Sequence, residues 1–247
     1  MEPFYRKHGD GRRFIIQNCL KLAPGRRKTK LRVLDIGCST GALLDAFQQV
    51  LPDCDIVGID IDPGAKANAP DHLRDRIQVG DVLTASFKAP FDIITLEMVI
   101  EHLPDPAKFL HRCHELLLPD GIVMISTPDI DSKPARDGGA DWWLINRPDA
   151  PVGHRYWFNT NSMTYLADGA GLKPARIRNK GSLFPYLPTW LHKTVQTLLG
   201  NDSRSGRLIR WYPVRILWAL IIDGWLSEFL NRGEYIYAFL IKTGTER

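Results

Sequence analysis

Short apolar runs alternate along this chain with stretches in which apolar residues recur at helical spacing. Apolar runs of this length predict buried strands, and five of them occur, at 31–36, 54–60, 76–81, 91–97 and 121–128. Helical spacing and capping residues predict helices at 41–51, near Pro63, at 105–121 and at 159–172. Alternation of this kind predicts a parallel, doubly wound sheet with helices on both faces. Ligands of such sheets bind at the carboxyl ends of the strands.

The turn after the first strand, in VLDIGCSTG at 33–41, consists of small residues and carries the first chemical information. Dinucleotide-binding enzymes have G-x-G-x-x-G at this point, whereas the glycines here are Gly37 and Gly41. Asp35 lies at the strand end, where its carboxylate would repel a pyrophosphate and attract a cationic ligand. S-adenosylmethionine is a nucleoside with two cationic groups and no phosphate, so the turn favours this cofactor.

Five segments in register carry a resemblance to a known family. They are VLDIGCSTG, IVGIDID, VGDV, FDIITLEMVIEHLPDP and LLLPDGIVMISTPD. With these segments, residues 31–130 resemble the class I S-adenosylmethionine-dependent methyltransferases. Within that family they resemble the small-molecule O-methyltransferases of quinone biosynthesis and the cell envelope (methyltransferase types 11, 12 and 23). One departure is Ser39, where the family has glycine; serine is small enough for close approach of the backbone to a ligand.

The resemblance implies a Rossmann-like, doubly wound α/β sheet of seven strands, mostly parallel with an antiparallel last strand. The sixth strand is then expected at 173–183, and the seventh, as the antiparallel edge strand, at 234–244. A hairpin between them would need only a few residues, whereas about fifty intervene, so we expect a late helical insert at about 184–232. The chain then divides into an N-terminal helical cap segment at 1–30 and a methyltransferase domain at 31–247.

The resemblance also implies roles around the cofactor. Asp35 and the turn after it are expected along the methionine portion and ribose, with Glu97 or its neighbour at the methionine carboxylate. Asp60 is expected to accept both ribose hydroxyls, because a carboxylate has two oxygens. Asp81 and the amide of Val82 are expected at the adenine. The expected cofactor-binding residues are Asp35, Gly37, Cys38, Ser39, Gly41, Asp60, Ile61, Asp81, Val82 and Glu97.

Two histidines are candidates for a general base. Methyl transfer is an in-line displacement that depends on alignment, and a phenol with a pKa of about 10 needs its proton removed by a nearby base. His154 follows the fifth strand in GHRYWFN, where the family places residues facing the substrate, and His102 follows the fourth strand in EHLPDP. For both, a structural hydrogen bond is the alternative role. His111 and His114 are three residues apart and lack the i, i+4 spacing of a paired ligand set, so no metal site is expected.

Residues 129–158 form a long segment rich in Gly, Pro and Asp after the fifth strand. A connection of this length within a domain is usually functional or disordered. Its paired tryptophans suggest a lid loop with an apolar underside that faces the substrate. The expected substrate contacts are Trp142, Trp143, Arg147 and Tyr156.

The late insert contains an apolar stretch at 211–230 with three tryptophans seven residues apart, which fall on one stripe of a helix. Charged residues interrupt the stretch, and it is too short to span a bilayer. Four interpretations stay open: a helix buried against the core, a homodimer interface, a roof over a lipophilic acceptor, and a peripheral membrane helix. The tryptophans are Trp211, Trp218 and Trp225.

The charge of the chain is unevenly distributed. Residues 1–30 contain nine Lys and Arg against two acidic residues, 31–179 fourteen against twenty-one, and 180–247 nine against five. The basic ends are either solvated faces or a rim for anionic lipid or nucleic acid. The N-terminus has no apolar signal region and the four cysteines lack C-x-x-C spacing. We therefore expect a cytoplasmic protein, with peripheral contact at the inner face of the membrane as an extension.

The expected function is methyl transfer from S-adenosylmethionine to a small-molecule acceptor, at a hydroxyl of a lipophilic or glycan-linked metabolite. The Asn/Asp-Pro-Pro-aromatic motif of nucleobase amine methyltransferases is absent after the fourth strand, as is a Pro-Cys motif. An RNA methyltransferase is one alternative, favoured by the basic N-terminus, but no RNA-binding module is visible and nucleic acid is not expected as a partner. A non-catalytic cofactor-binding or scaffold protein is the other.

Overall fold

The computed structural model describes residues 9–22, 30–142, 153–180 and 233–243. Its α-helices are α1 (Gly9–Leu22), α2 (Ala42–Val50), α3 (Pro63–Ala67), α4 (Asp71–Arg74), α5 (Pro106–Leu116), α6 (Lys133–Gly138) and α7 (Thr160–Gly169). Its strands are β1 (Arg32–Ile36), β2 (Asp55–Asp60), β3 (Ile77–Val79), β4 (Phe91–Glu97), β5 (Leu117–Pro128), β6 (Leu172–Lys180) and β7 (Tyr235–Lys242). Short 3₁₀ turns lie at Ile100–His102 and Gly139–Asp141.

The strands form one sheet of seven in the order β3-β2-β1-β4-β5-β7-β6. The first five strands pair in parallel, and in this register Asp35 lies beside Gly58 of β2 and Thr95 of β4. β7 runs antiparallel to both β5 and β6. The predicted seven-stranded sheet, mostly parallel with an antiparallel last strand, is confirmed.

β7 is not an edge strand, contrary to the expectation from sequence. It lies between β5 and β6, and Ile236, Ala238 and Phe239 have no exposed surface. The edge strand is β6, which contains one proline and four basic residues in LKPARIRNK. Charge and proline at a sheet edge oppose pairing with a further chain, whereas the apolar sequence of β7 suits a strand covered on both faces.

Apolar side chains fill a layer on each face of the sheet. α5 and α7 cover one face, where Leu110 and Met163 are fully buried. α1 and α2 cover the other face, where the ring of Phe14 meets the rings of Tyr237 and Phe239 at centroid distances of 5.4 and 6.2 Å. These edge-on contacts add to the free energy gained by burial. The helix within the predicted cap segment is therefore part of the core.

The boundary between α5 and β5 differs from the prediction of a helix at 105–121. α5 starts where expected, since the Asp105 side chain accepts from the Lys108 amide at 3.0 Å, but it ends at Leu116. Leu117 already pairs with Phe91 of β4 and is 2% exposed. A run of three leucines fits either structure locally, and pairing with β4 decides in favour of the strand.

The predicted lid loop contains regular structure. α6 is capped by Ser132, whose hydroxyl accepts from the Ala135 amide at 3.3 Å, and the 3₁₀ turn at Gly139–Asp141 follows. The middle of the loop, 143–152, and the expected helical insert at about 184–232 lie outside the described residues. Of the helices that are described, none has the length and apolar character needed to cross a membrane.

Candidate active site

The residues expected to bind the cofactor lie at the carboxyl edge of the sheet, where β1, β2 and β4 end next to one another. The turn from Gly37 to Gly41 joins β1 to α2 there, and the Gly37 amide donates to the Ile59 carbonyl at 2.8 Å. Gly37 has a φ of +70°, and a Cβ at this position would lie 2.5 Å from a methyl group of Val99. Val99 belongs to the turn that follows β4, at residues 98–104, which we call the β4 exit turn. Both the backbone conformation and the contact with this turn therefore require glycine.

The backbone in the middle of this turn has an uncommon conformation. Ser39 has a φ of +48°, which is uncommon for a residue with a Cβ, and its amide donates to Oδ2 of Asp60 at 2.8 Å. Cys38 is buried, and its Sγ fills the space above Gly58, where a Cβ would lie 2.6 Å away. Gly41, with a φ of +86°, precedes α2.

The carboxylate of Asp60 is held in one orientation by the backbone around it. Oδ2 accepts from Ser39, and Oδ1 accepts from the Asp62 amide at 2.9 Å. Because a carboxylate oxygen has more than one acceptor site, both oxygens can accept further hydrogen bonds. Ile61, the next residue, is 80% exposed, so its side chain offers an apolar surface that a ligand can cover.

Asp35 is buried at the end of β1, with 3% exposed surface. The Thr95 hydroxyl donates to its Oδ1 at 2.6 Å. Burial raises the pKa of Asp35 to about 8, and the hydrogen bond from Thr95 opposes this rise. Glu97 and Asp60 raise the pKa further, while the Arg12 guanidinium on α1 lowers it. The edge therefore brings the carboxyl groups of Asp35, Asp60 and Glu97 together at the place where the sequence predicts a cationic ligand.

Arg12 is a residue of this site that the sequence analysis did not identify. From the sequence, Arg12 was only one of the nine basic residues of the N-terminal segment. In the fold it lies close enough to Asp35 to lower the pKa of that carboxyl. A signal was present in the sequence, because Ile15 and Ile16 follow at i+3 and i+4 and are buried. Helical spacing thus places Arg12 on the side of α1 that packs against the sheet.

The predicted adenine residues lie after β3, next to the predicted ribose residue. The Gly80 amide donates to the Asp60 carbonyl at 2.9 Å, which ties the two strand ends together. Asp81 is exposed, and its Oδ1 accepts from the Leu83 amide at 2.9 Å. Val82 is buried, with 3% exposed surface. The side chains of Asp60 and Asp81 thus leave neighbouring strands at the same edge.

The end of β4 has a strained backbone. Met98, directly after Glu97, has a φ of +56°, and its amide donates to the Ser126 carbonyl at 3.0 Å. Glu97 is half-buried and is close enough to act on the pKa of Asp35 and that of Tyr237. Burial, more than Glu97, raises the pKa of Tyr237. Glu97 therefore lies on the same side of the sheet as Asp35 and Tyr237.

Both histidines that the sequence proposed as bases come together on the other side of this exit turn. The rings of His102 and His154 have their centroids 4.7 Å apart. One ring nitrogen of each histidine and one carboxylate oxygen of Glu101 lie within 4.8 Å of one another. One carboxylate and two imidazoles are also the donor types of transition-metal sites, although the sequence analysis assigned no metal here.

Glu101 was missed by the sequence analysis, although it stands beside His102 in EHLPDP. Glu101 is 1% exposed, and neither carboxylate oxygen has a hydrogen-bond partner at normal geometry among the described residues. Burial raises the pKa of Glu101 to about 7, while its own backbone amide and the nearby Thr127 hydroxyl oppose this rise. A buried acid with no such partner is uncommon and calls for an explanation, and the adjacent imidazoles supply a chemical one.

Backbone contacts hold the segment at 153–158 against the β4 exit turn. The amides of Arg155 and Tyr156 donate to the Glu101 carbonyl at 2.8 and 3.2 Å. The Tyr156 hydroxyl donates to the Pro104 carbonyl at 3.1 Å, and its side chain is 41% exposed. These contacts bring His154 to His102 across about fifty residues of sequence.

The residues predicted to contact the substrate differ in where the fold places them. Trp142 is 2% exposed and packs with Ala135, Ile130 and Tyr235 in a small cluster beside the sheet. Its Nε1 has no hydrogen-bond partner among the residues that the structure describes. Tyr156 is the one predicted contact that is both described and exposed, because Trp143 and Arg147 lie outside the described residues.

Comparison with protein families gives a match to the methyltransferase domain over residues 5–176. Ubiquinone biosynthesis O-methyltransferases are similar in sequence. The proteins from Psychrobacter arcticus and Azotobacter vinelandii are 32% and 35% identical, over 41% of this chain and 42% and 46% of their own length. The protein from Bordetella avium is 29% identical over 70% of this chain and 71% of its own. The match thus spans less than half the length of the first two relatives.

Solved structures show the same fold at low sequence identity. A phosphoethanolamine N-methyltransferase from Haemonchus contortus in complex with S-adenosyl-L-methionine matches with a TM-score of 0.56 and 17% identity, covering 93% of this chain and 52% of its own. The [4+2]-cyclase SpnF matches with a TM-score of 0.55 and 17% identity, covering 93% and 80%. Because one neighbour is a cyclase, likeness of fold alone does not decide the reaction.

Proposed function

Since this chain belongs to the class I S-adenosylmethionine-dependent methyltransferases, we propose that it methylates a hydroxyl group of a lipophilic or glycan-linked small molecule. The observation that carries the proposal is the group of Glu101, His102 and His154 at the carboxyl edge of the sheet. It places imidazole bases on the exit turn of β4, whose residue Val99 touches the turn at Gly37. Similarity to O-methyltransferases of ubiquinone biosynthesis supports the choice of oxygen.

The geometry of the edge supports the cofactor roles that we propose for its residues. Asp60, oriented by two backbone amides, accepts the two ribose hydroxyls, and Asp81 accepts from the adenine amine. Asp35 and Glu97 supply negative charge for the amino group and the sulfonium of the methionine portion. The turn at Gly37 lets the backbone approach the cofactor closely, as its φ and its contact with Val99 require.

In the reaction, the acceptor oxygen attacks the methyl carbon as the bond from that carbon to the sulfonium sulfur breaks. The sulfur keeps the electron pair, so S-adenosylhomocysteine leaves as a neutral thioether. The acceptor proton passes to the imidazole of His154, which acts as general base, with His102 as the neighbouring candidate. Tyr156, exposed beside this group, and Trp143 and Arg147 in the lid loop are proposed to contact the acceptor.

The acceptor class is tested with the purified chain, S-adenosylmethionine and a series of phenols that differ only in the length of an alkyl tail. Release of S-adenosylhomocysteine should occur and should increase with tail length. Bulk tRNA and rRNA serve as competing acceptors. Methylation of RNA but of no phenol would contradict the proposal in favour of an RNA methyltransferase. Cofactor binding without turnover on either would favour a non-catalytic protein.

The base is tested with His154→Ala. Turnover should fall by roughly 10²–10⁴-fold, the usual contribution of general acid–base catalysis, while calorimetry gives unchanged affinity for S-adenosylmethionine. His102→Ala is the matched comparison. An unchanged rate in His154→Ala with a large loss in His102→Ala would move the role to His102. Loss of wild-type activity in EDTA that a divalent metal restores would contradict a simple general base at this site.

A further inference from the structure

We propose that Arg112 is a positioning residue for adenine: from α5 it holds the turn at 81–85 and thereby sets the preference for an adenosyl cofactor. This inference rests on the proposed cofactor site. Arg112 lies within α5, away from the strand ends in sequence, so its place in the chain gives no sign of a role at the site. The contacts of its guanidinium do.

The guanidinium of Arg112 binds two carbonyls of the turn after β3. Nε donates to the Val82 carbonyl at 3.2 Å, and a terminal nitrogen donates to the Ala85 carbonyl at 2.8 Å. The other terminal nitrogen donates to Glu115 at 2.9 Å, one turn further along α5. The planar guanidinium is suited to this arrangement, since its donors point in fixed directions. One side chain thus fixes two points of a turn that lies about thirty residues before it in the sequence.

The turn itself depends on a few local hydrogen bonds. The Leu83 amide donates to the Asp81 side chain at 2.9 Å, and the Ala85 amide donates to the Asp81 carbonyl at 2.9 Å. These bonds close the turn on itself but do not place it relative to the sheet. Val82 is buried against the core, and Arg112 attaches the remaining backbone to α5.

The consequence concerns the two groups that are proposed to recognise adenine, the Asp81 carboxylate and the Val82 amide. A hydrogen bond discriminates between bases only where its direction is held, because a turn that can shift will adapt to a different base edge. Arg112 is 24% exposed at its side chain, so its bonds to the two carbonyls are partly shielded from water. Removing them should leave cofactor binding in place and weaken the selection of the base.

The experiment measures binding of S-adenosylhomocysteine and S-inosylhomocysteine by calorimetry. The inosine analogue replaces the exocyclic amine of adenine by an oxygen. The wild-type protein should prefer the adenosyl ligand, and in Arg112→Met the ratio of the two dissociation constants should fall by about tenfold, the scale of a hydrogen bond to a charged group. Arg112→Lys should fall between them, because a single ammonium cannot bridge two carbonyls in a fixed geometry.

Two variants provide the controls. Glu115→Gln removes the surface ion pair and keeps both carbonyl contacts, so its ratio should equal that of the wild type. Asp60→Ala should weaken both ligands by the same factor, because the ribose is common to them. If Arg112→Met weakens both ligands equally, or leaves the ratio unchanged while remaining folded by circular dichroism, Arg112 does not position the adenine turn. If the wild type binds neither ligand, the proposed cofactor site itself is wrong.

Discussion

At the scale of single residues, the site is governed by carboxyl groups in unequal surroundings. Asp60 is half-exposed and its carboxylate is oriented by backbone amides. Asp35 is buried, and burial raises its pKa to about 8. Near neutral pH the Asp35 carboxyl is therefore protonated in the free protein. A cationic ligand beside it favours the charged form, so cofactor binding and ionisation of Asp35 should be coupled.

We expect S-adenosylmethionine to release about one proton from the protein when it binds at pH 6.5. At this pH the free Asp35 is protonated, since its pKa lies above the working pH, and it ionises in the complex. Calorimetry in two buffers with different enthalpies of ionisation measures the released protons. Asp35→Asn should abolish the release, whereas Asp60→Asn should retain it. Binding without proton release in the wild type would contradict a raised pKa at Asp35.

Glu101 should make the stability of the fold depend on pH. Burial raises its pKa from 4.5 to about 7 in the folded state, so the folded protein prefers the protonated form. Its stabilising contribution is then fully present below pH 4.5 and is lost as the pH rises to about 7. A shift of this size corresponds to roughly 3 kcal/mol.

The matched variant for this measurement is Glu101→Gln, which cannot titrate. Urea unfolding at pH 4.5 and at pH 7.5 gives the free energy of unfolding of both proteins. The wild type should lose stability relative to the variant over this interval, by an amount on the order of the shift. Parallel pH profiles for the two proteins would show that Glu101 has an ordinary pKa in the fold.

At the scale of secondary-structure elements, the parts predicted well are those with long apolar runs. β4 has the predicted bounds of 91–97, and β2 begins one residue later than predicted. The predicted C-terminal end of α5 and the predicted edge position of β7 were both wrong, and for the same reason. LLL before Pro119 fits a helix or a strand, and YIYAFLI fits an edge or an inner strand. Backbone pairing with a neighbouring strand decides between the alternatives in each case, and a short stretch of sequence does not contain this information.

At the scale of the whole molecule, the helix predicted at 211–230 lies outside the described residues and stays a prediction from sequence. An exposed helix bearing Trp218 and Trp225 would leave an apolar patch that soluble monomers rarely have. Flanking Arg207, Arg210 and Arg215 favour a lipid surface, since an anionic membrane attracts each nearby basic residue by about 1 kcal/mol.

We therefore expect the protein to float with anionic liposomes in a density gradient, and less so at high salt. Trp218→Ser with Trp225→Ser should abolish flotation without loss of S-adenosylmethionine binding. A wild type that stays in the soluble fraction as a dimer by light scattering would instead identify the stretch as a subunit interface. A soluble monomer would identify it as packed core or as a roof over the acceptor.

By itself the sequence determined the class of the protein. Alternating apolar periodicities specify strands and helices, and the turn from Gly37 to Gly41 with Asp35 and Asp60 specifies the cofactor family, because these signals are local to one strand and the turn after it. Only the tertiary structure decided which distant residues share the site. Arg12 comes close enough to Asp35 to lower its pKa because α1 packs on the sheet, and His154 meets His102 because backbone hydrogen bonds hold its segment on the turn after β4. Burial, which raises the pKa of Glu101 and of Asp35, is likewise a property of packing, and no stretch of sequence carries it alone.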